Sequence, residues 1–183
     1  MAPLVFVTGA SSGIGQALAA AYARRGARLA LVARRGEVLR EWVRAQGLEA
    51  TRAAVYAADV AEPASIGAAS HACLAAQGLP DVLGMAATFQ PFVGPMRARR
   101  AGTLVGVASV AGVRGLPGHG AYCSSKVAAI AYCESLRGEC RPFGVRVVTL
   151  LPGYVATPLT ARNRYAMPFL LQPDAFAARA SGG

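Results

Sequence analysis

The sequence is poor in acidic and aromatic residues, and it contains no long apolar segment. Nine Asp and Glu stand against 19 Lys and Arg, which gives a formal net charge of +10, and aromatic residues make up 7% of the 183 positions. No apolar run approaches the ~18 residues that a membrane-spanning helix requires, so a transmembrane segment is not expected. The first apolar segment begins at Leu4 without a charged leader, and a signal peptide is not expected either.

Cysteine is also scarce, and its spacing is not typical of a metal site. Cys133 and Cys140 are seven residues apart, which places them on one face of a helix, while Cys73 and Cys123 stand alone. Neither a Cys-x-x-Cys pair nor a Cys/His ligand pattern accompanies them. Because disulfides are rare in the cytosol, we expect reduced thiols, no metal and a cytoplasmic protein.

The excess of positive charge raises the question of a polyanionic partner. The arginines are scattered along the chain rather than gathered on one element, and no aromatic residues alternate with them. Those considered are Arg24, Arg25, Arg34, Arg35, Arg97, Arg99, Arg100, Arg162 and Arg164. Nucleic acid is therefore not expected as a partner.

Short apolar segments alternate with longer helical patterns along the chain. With 54% hydrophobic and 15% charged residues, this alternation predicts one α/β domain over 1–183, with a doubly wound parallel sheet and crossover helices. The predicted strands are Leu4–Thr8, Arg28–Ala33, Ala53–Ala57, Thr103–Ala108 and Val145–Leu151. The predicted helices are Ile14–Arg25, Glu37–Gln46, Pro63–Gln77 and Ala121–Arg137, and residues 160–183 are predicted to form a partial substrate lobe and a tail.

A glycine-rich segment, Thr8-Gly9-Ala10-Ser11-Ser12-Gly13-Ile14-Gly15, joins the first predicted strand to the first predicted helix. Glycine permits the tight bend from strand to helix, and a second glycine lets the backbone approach a pyrophosphate. The negative charge would lie on the unpaired N–H groups of the helix N-terminus. This placement favours a dinucleotide site over an ordinary glycine-rich turn.

Two arginines, Arg34 and Arg35, follow the second predicted strand. An acidic residue at this point would accept hydrogen bonds from the adenosine ribose and would repel a 2′-phosphate. Guanidinium groups can instead pair with that phosphate through two hydrogen bonds each. NADP is therefore favoured over NAD, and solvated surface arginines are the alternative.

Three polar residues of the second half of the chain can support acid–base chemistry. Ser109 follows the Thr103–Ala108 strand, and Tyr122 and Lys126 have the i, i+4 spacing of one helix face. An ammonium group beside a phenol favours the phenolate and so makes a tyrosine a usable general acid and base. A serine at the end of a strand can hold the substrate oxygen that the tyrosine protonates.

These residues occur in the order that is typical of the short-chain dehydrogenase/reductase family, which the chain resembles from about Pro3 to Thr160. The set comprises the glycine segment, Asp59, Ser109, Tyr122, Lys126 and Pro152-Gly153. The resemblance implies a Rossmann-like fold, an NADP-dependent dehydrogenase/reductase activity and a small carbonyl or alcohol substrate.

The resemblance also implies the role of each position. Tyr122 would transfer the proton, Lys126 would bind the nicotinamide ribose and tune the tyrosine, and Ser109 would orient the carbonyl. Arg34 and Arg35 would bind the 2′-phosphate. The remaining positions would contact the cofactor: Gly9, Ser11, Ser12, Gly13, Ile14 and Gly15 at the pyrophosphate, Asp59 and Val60 at the adenine, and Pro152, Gly153, Val155 and Thr157 at the nicotinamide end.

The sequence departs from the family's pattern in the middle of the chain. The Asn-Asn-Ala-Gly stretch of the family's fourth strand and its catalytic asparagine are missing, and Asp81 takes the place of the asparagine. The resemblance implies an internally deleted and C-terminally shortened member, without about thirty central residues and without a last strand. Residues 82–88 either form a replacement strand before a shortened helix Phe89–Arg100, which we favour, or remain helical and leave a gap in the sheet.

Two functions follow from these features. The first is an oxidoreductase that moves hydride between NADPH and a carbonyl or alcohol, and the second is a catalytically impaired NADP-binding or interaction protein. His119, three residues before Tyr122, is interpreted as substrate-lining or solvated. A homo-oligomer is left open. Six residues in the second half of the chain indicate an apolar substrate, although a core or dimer role would explain them equally well. These residues are Leu116, Tyr154, Met167, Phe169, Leu170 and Leu171.

Overall fold

The computed structural model describes residues 2–80, 82–84, 86–163 and 165–181. The strands are β1 Leu4–Thr8, β2 Arg28–Ala33, β3 Ala53–Ala57, β4 Val82–Gly84, β5 Gly102–Val107 and β6 Val145–Leu150. The helices are α1 Gly13–Arg24, α2 Gly36–Ala45, α3 Pro63–Gln77, α4 Ala86–Arg99, α5 Gly120–Cys140 and α6 Pro173–Ser181. Short 3₁₀ turns occupy Val110–Gly112, Arg141–Phe143 and Thr160–Arg162.

The strands form one parallel sheet with the order β3-β2-β1-β4-β5-β6. The chain winds outward from β1 to β3 and then crosses back to β4, so the predicted doubly wound α/β sheet is confirmed. The crossing places a switch point between β1 and β4. In sheets of this kind, ligands bind at the carboxyl ends of the strands on either side of such a point.

The centre of the sheet is closed by the short strand β4. Val82 and Leu83 pair with Val5 and Phe6 of β1 on one side, and β4 pairs with Thr103–Val105 of β5 on the other. The predicted replacement strand therefore exists, but it is shorter than 82–88, and α4 begins at Ala86 rather than at Phe89. The short strand provides partners for central backbone groups of β1 and β5 that would otherwise face a gap in the sheet.

Helices cover both faces of the sheet, because successive side chains of a buried parallel strand point to opposite faces. On one face, Leu4 and Phe6 pack with Phe92 and Met96 of α4, and the rings of Phe6 and Phe92 lie 5.1 Å apart. On the other face, Val5 and Val7 of β1 pack with the apolar side chains of α1 and α2. None of the described helices combines the length and the apolar character that crossing a membrane would require.

Two arginines bind backbone carbonyls at the edge of the sheet where helices end and strands begin. There Arg52 donates a hydrogen bond to the carbonyl of Ala23 at 2.9 Å, and Arg99 donates to the carbonyl of Pro80 at 3.0 Å. Carbonyls at helix ends have no partner within the helix, and a positive charge is favourable beside them. Part of the large positive charge therefore stabilises the fold.

Another arginine contacts the outer edge of β6. Arg137 donates from Nε to the carbonyl of Val147 at 3.0 Å and from Nη2 to the hydroxyl of Thr149 at 3.0 Å. The carbonyl of Leu150 faces β5, where it accepts from the N–H of Ala108. Because backbone groups alternate in direction along a strand, the carbonyl of Val147 faces away from β5.

The four cysteines are buried and unpaired. Burial raises the pKa of the Cys73 thiol from 9.0 to about 12, and it also raises the pKa of Tyr56 from 10.0 to about 12. The Tyr56 hydroxyl donates to the side-chain oxygen of Gln77 at 3.0 Å, beneath the sheet face that α3 covers. The folded state therefore favours the protonated forms of both groups.

We expect the free energy of unfolding to fall as the pH rises from about 9 towards 12. In this window an unfolded chain releases the Cys73 and Tyr56 protons, whereas the folded chain retains them until about pH 12. Below pH 9 both states hold the protons and the stability is complete. Urea unfolding at pH 8 and pH 10.5 should show a loss on the order of 2 kcal/mol. Cys73→Ala should be less stable at both values but should lose less between them, and an equal loss would contradict the assignment.

Candidate active site

The glycine segment forms a tight turn at the carboxyl end of β1. Gly9 and Gly13 have φ of 65° and 57°, a region that favours glycine. A Cβ at Gly15 would lie 2.7 Å from the carbonyl carbon of Gly9 and closer still to its oxygen, so only glycine allows α1 to begin against the turn. Ser12 precedes α1 without a side-chain cap, which leaves N–H groups of the first turn available to an anion.

A cleft of about 490 Å³ lies beside this turn, where the carboxyl ends of β1, β2 and β3 meet. The cleft is lined by Gly9, Ser11, Ser12, Ala33, Arg34, Arg35, Ala58, Asp59, Val60 and Ala61. Most of the residues predicted to bind the pyrophosphate, the 2′-phosphate and the adenine are therefore brought together on one surface. Ile14 differs from them, since it lines a separate apolar cleft of about 200 Å³ with Leu18 and Val107.

The two arginines of this cleft extend over its rim. Arg35 Nη2 lies 3.4 Å from the hydroxyl of Ser11, and Arg34 Nη1 lies 3.9 Å from a carboxylate oxygen of Asp59. The Arg34 side chain is 78% exposed, so this ion pair is weak and easily exchanged for another anion. The other carboxylate oxygen of Asp59 accepts from the N–H of Ala61 at 2.9 Å, which fixes the turn after β3.

Ser109 lies where the end of β5 meets the loop after β6. It is 8% exposed, and its Oγ accepts from the N–H of Ala111 at 3.2 Å and donates to the carbonyl of Pro152 at 3.4 Å. The N–H of Val110 donates to the same carbonyl at 3.1 Å. The serine is therefore held by backbone on two sides, as an orienting hydroxyl needs to be.

Tyr122 and Lys126 lie in the first two turns of α5, on one face of the helix. The Lys126 Nζ is 5.6 Å from the centre of the Tyr122 ring, and Tyr122 is 48% exposed. The ammonium lies within cation–π distance of the ring, and the tyrosine side chain is open to solvent. The structure therefore places the predicted pair side by side on the surface of α5, and its role in proton transfer stays a prediction.

Sequence analysis did not identify Gly112, which brings the 3₁₀ turn after Ser109 and helix α5 together. A Cβ on Gly112 would lie 2.9 Å and 3.0 Å from the backbone carbon and oxygen of Lys126. Only glycine therefore lets the 3₁₀ turn that follows Ser109 pack directly against α5. A glycine three residues after the serine was the available signal, but nothing in the sequence indicates which helix it contacts.

The loop after β6 completes the site from the other side. A Cβ on Gly13 would meet Thr157 Cγ2 at 3.1 Å, so this loop touches the glycine turn directly. Val155 is buried, and it forms an isolated bridge with Leu171. Its contact with the nicotinamide stays a prediction, as do the contacts of Pro152 and Gly153. Two further residues named in the sequence analysis, Asp81 and Arg164, lie outside the described residues.

Within the described residues, no group of three or more His, Cys, Asp or Glu side chains is arranged to hold a metal ion. The described site combines the glycine turn, two exposed arginines, the serine at the end of β5 and the tyrosine–lysine pair of α5. This is the arrangement of a dinucleotide-dependent oxidoreductase on a doubly wound sheet.

The comparison with known protein families agrees with this arrangement. The model for short chain dehydrogenases matches residues 3–93 and residues 81–167, and so covers most of the sequence. The chain belongs to the short-chain dehydrogenase family of oxidoreductases. The two matched stretches overlap at 81–93, the region where the sequence departs from the family's pattern.

Relatives and solved structures cover nearly all of this chain. It is 38% identical to an uncharacterized oxidoreductase of Myxococcus xanthus, over 91% of this chain and 77% of that protein. It is 30% identical to a dehydrogenase/reductase SDR family protein 7-like of Anopheles gambiae, over 86% of this chain and 60% of that protein. The structure of L-sorbose reductase from Gluconobacter frateurii, complexed with NADPH and L-sorbose, superposes with a TM-score of 0.85 at 25% identity, over 98% of this chain and 88% of that chain.

Proposed function

We propose that this protein is an NADP-dependent oxidoreductase that transfers hydride between NADPH and a small carbonyl compound or the corresponding alcohol. The observation that carries the proposal is the packing of the turn after Ser109 against α5 at Lys126, beside Tyr122, together with the contact of the loop after β6 with both Ser109 and the glycine turn. Arg34 and Arg35 on the same rim favour the phosphorylated cofactor over NAD. The NADPH complex of the similar L-sorbose reductase supports the same choice.

The glycine turn supports the binding of such a cofactor. The first turn of α1 is uncapped, which leaves N–H donors for a pyrophosphate, and the space beside Gly9 is open, since a Cβ there would meet no atom within 4 Å. The bound nicotinamide would supply or accept the hydride at the substrate carbon. In the reductive direction Tyr122 would donate its hydroxyl proton to the carbonyl oxygen, which Ser109 would hold in place by a hydrogen bond. Lys126 would stabilise the resulting phenolate until solvent returns the proton.

The direct test is consumption of NADPH, followed at 340 nm, with a panel of aldehydes and ketones. Binding of NADPH and NADH would be measured separately by the change in nucleotide fluorescence. Turnover with at least one carbonyl, together with tighter binding of NADPH, would support the proposal. An absence of nucleotide binding would reject it.

Loss of both rim arginines should remove the preference for NADPH. We expect Arg34→Ala/Arg35→Ala to bind NADPH about ten- to a hundredfold more weakly, since a charged hydrogen bond contributes ~1.5–3 kcal/mol. NADH binding should hardly change. The matched control is Arg24→Ala/Arg25→Ala, which removes the same charge at the opposite edge of the sheet and should preserve the preference. An unchanged NADPH/NADH ratio in the first variant would remove the basis for this assignment.

The second candidate function is a catalytically impaired NADP-binding or interaction protein. It is favoured by the three-residue β4 and by the absence of the family's fourth-strand asparagines from the sequence. NADPH binding without turnover on any carbonyl would select this alternative. A cytoplasmic location is part of either proposal and is supported by four unpaired thiols.

A further inference from the structure

Three aromatic side chains from separate segments meet beside the proposed catalytic tyrosine, and we call them the aromatic wall: His119, Tyr154 and Tyr165. The rings of His119 and Tyr165 are 6.1 Å apart and nearly perpendicular, at 88°. The rings of Tyr154 and Tyr165 are also 6.1 Å apart, at 57°. Both distances lie in the range of attractive aromatic pairs, and the first pair is edge-to-face whereas the second is tilted. Tyr165 therefore contacts both of the other rings.

Each member of the wall is fixed to an element of the active site. The carbonyl of His119 accepts from the N–H of Cys123, so His119 precedes α5 by less than one turn and lies next to Tyr122. Its ring Nδ1 lies 3.0 Å from the carbonyl of Pro117, which orients the imidazole. Tyr154 follows Pro152, the residue whose carbonyl accepts from Ser109. The start of α5 and the loop after β6 therefore border the same space.

Tyr165 lies in a loop whose two ends are joined by backbone hydrogen bonds. The N–H of Leu171 donates to the carbonyl of Tyr154 at 2.9 Å, and the N–H of Ala156 donates to the carbonyl of Leu171 at 2.8 Å. These bonds bring the two ends of residues 157–170 together. Tyr165, which is 47% exposed, connects this loop to His119. The exposed part of its ring is available to a bound molecule.

The loops that carry these rings also expose apolar side chains. Leu116 and Leu170, on the two loops that carry His119 and Tyr165, are 43% and 40% exposed, so neither belongs to the core. Val113 and Leu159 of the same loops are exposed too, at 72% and 76%. Leaving this much apolar surface in water is unfavourable, and a bound apolar molecule would remove part of it from solvent.

We propose that the aromatic wall selects a substrate in which an aromatic ring adjoins the reacting carbon, that is, an aryl ketone or the corresponding secondary alcohol. The inference rests on the proposed function for the position of the reacting oxygen, which lies between Tyr122 and Ser109. The ring of the substrate then packs edge-to-face on Tyr165, in the geometry that the ring of His119 already adopts there. A saturated ring of equal size fills the same space without this contact.

The test compares two ligand pairs with identical carbon skeletons. The first pair, acetophenone and cyclohexyl methyl ketone, reports kcat/KM with NADPH. The second pair, 1-phenylethanol and 1-cyclohexylethanol, reports binding by ligand-observed NMR, with and without NADPH, and requires no turnover. We expect the aryl member to be favoured about three- to tenfold in both, the range that an aromatic pair provides.

Two substitutions of Tyr165 distinguish a contact made by its aromatic ring from a general apolar contact. Tyr165→Leu should bring the aryl preference close to one, whereas Tyr165→Phe, which keeps the ring, should preserve it. Phe143→Leu is the matched control, because Phe143 packs against Arg97 in the turn between α5 and β6, at the opposite edge of the sheet, and the same loss of a ring there should leave the ratio unaltered. A ratio near one in the unaltered protein, or an aryl preference that survives Tyr165→Leu, would overturn the inference.

The two proposals fail in different ways. Absence of NADPH consumption with every ketone would count against the oxidoreductase function, while the alcohol binding ratio would still decide the aromatic wall. Turnover that favours cyclohexyl methyl ketone, or equal binding of the two alcohols, would reject the aromatic wall and leave the oxidoreductase function intact.

Discussion

Tyr122→Phe should abolish carbonyl reduction while leaving NADPH binding nearly unchanged. Phenylalanine keeps the ring and its position beside Lys126, and it removes only the hydroxyl that would exchange the proton. General acid–base catalysis is typically worth 10²–10⁴-fold, so kcat should fall by about that factor. The measurement is kcat with the most active ketone of the panel, alongside nucleotide fluorescence for binding.

Lys126→Ala provides the comparison for this variant. The lysine is proposed to contact the nicotinamide ribose as well as the phenol, so its loss should weaken NADPH binding and lower the rate together. If the pair only stabilised α5 as exposed neighbours, its contribution would be a few tenths of a kcal/mol and both variants would retain turnover. A Tyr122→Phe protein that reduces ketones at the unaltered rate would refute the catalytic assignment.

The second large effect is expected at Gly15. Gly15→Ala should lower NADPH affinity by about a hundredfold, because the added Cβ would displace the Gly9 backbone and with it the phosphate-binding turn. Overpacking of this kind should also reduce the free energy of unfolding by about 1–3 kcal/mol. Nucleotide fluorescence and urea unfolding would measure the two effects separately.

Gly67→Ala is a suitable control for Gly15→Ala. Gly67 lies within α3, its φ is negative, and a Cβ there would meet no atom within 4 Å. Alanine is the better helix former by about 1 kcal/mol, so this variant should be slightly more stable and should bind NADPH normally. Normal NADPH binding by Gly15→Ala would show that the turn is not the phosphate site.

The fold could be predicted from the sequence wherever local patterns have a clear period and clear ends. The bounds of β1, β2, β3 and α3 agree with the predicted ones. In the strands the signal is a short apolar segment, and in α3 it is the proline at the first position of the helix. The segment 82–88 has no such signal. Its division between β4 and α4 is decided by pairing with β1 and β5, which are far away in sequence, and the local pattern contains no information about that pairing.

The candidate site shows the same division between local and distant information. Tyr122 and Lys126 could be paired from their spacing, because a helix fixes which residues share a face. The contact of Gly112 with α5 and the meeting of His119 with Tyr165 could not, because each joins segments whose approach depends on the complete fold. The sequence indicated an apolar substrate, but the packing of the rings of His119 and Tyr154 on Tyr165 is a property of the tertiary structure.

The guanidinium of Arg137 also bears on how molecules of this protein behave towards one another. Among the described strands, β6 forms one border of the sheet, and an unprotected border is a template on which a foreign strand can polymerise. At Val147 the outward acceptor is already engaged and carries a positive charge beside it. An approaching strand would have to displace that charge before it could pair at Val147, so Arg137 disfavours the addition of a foreign strand at this point of the border.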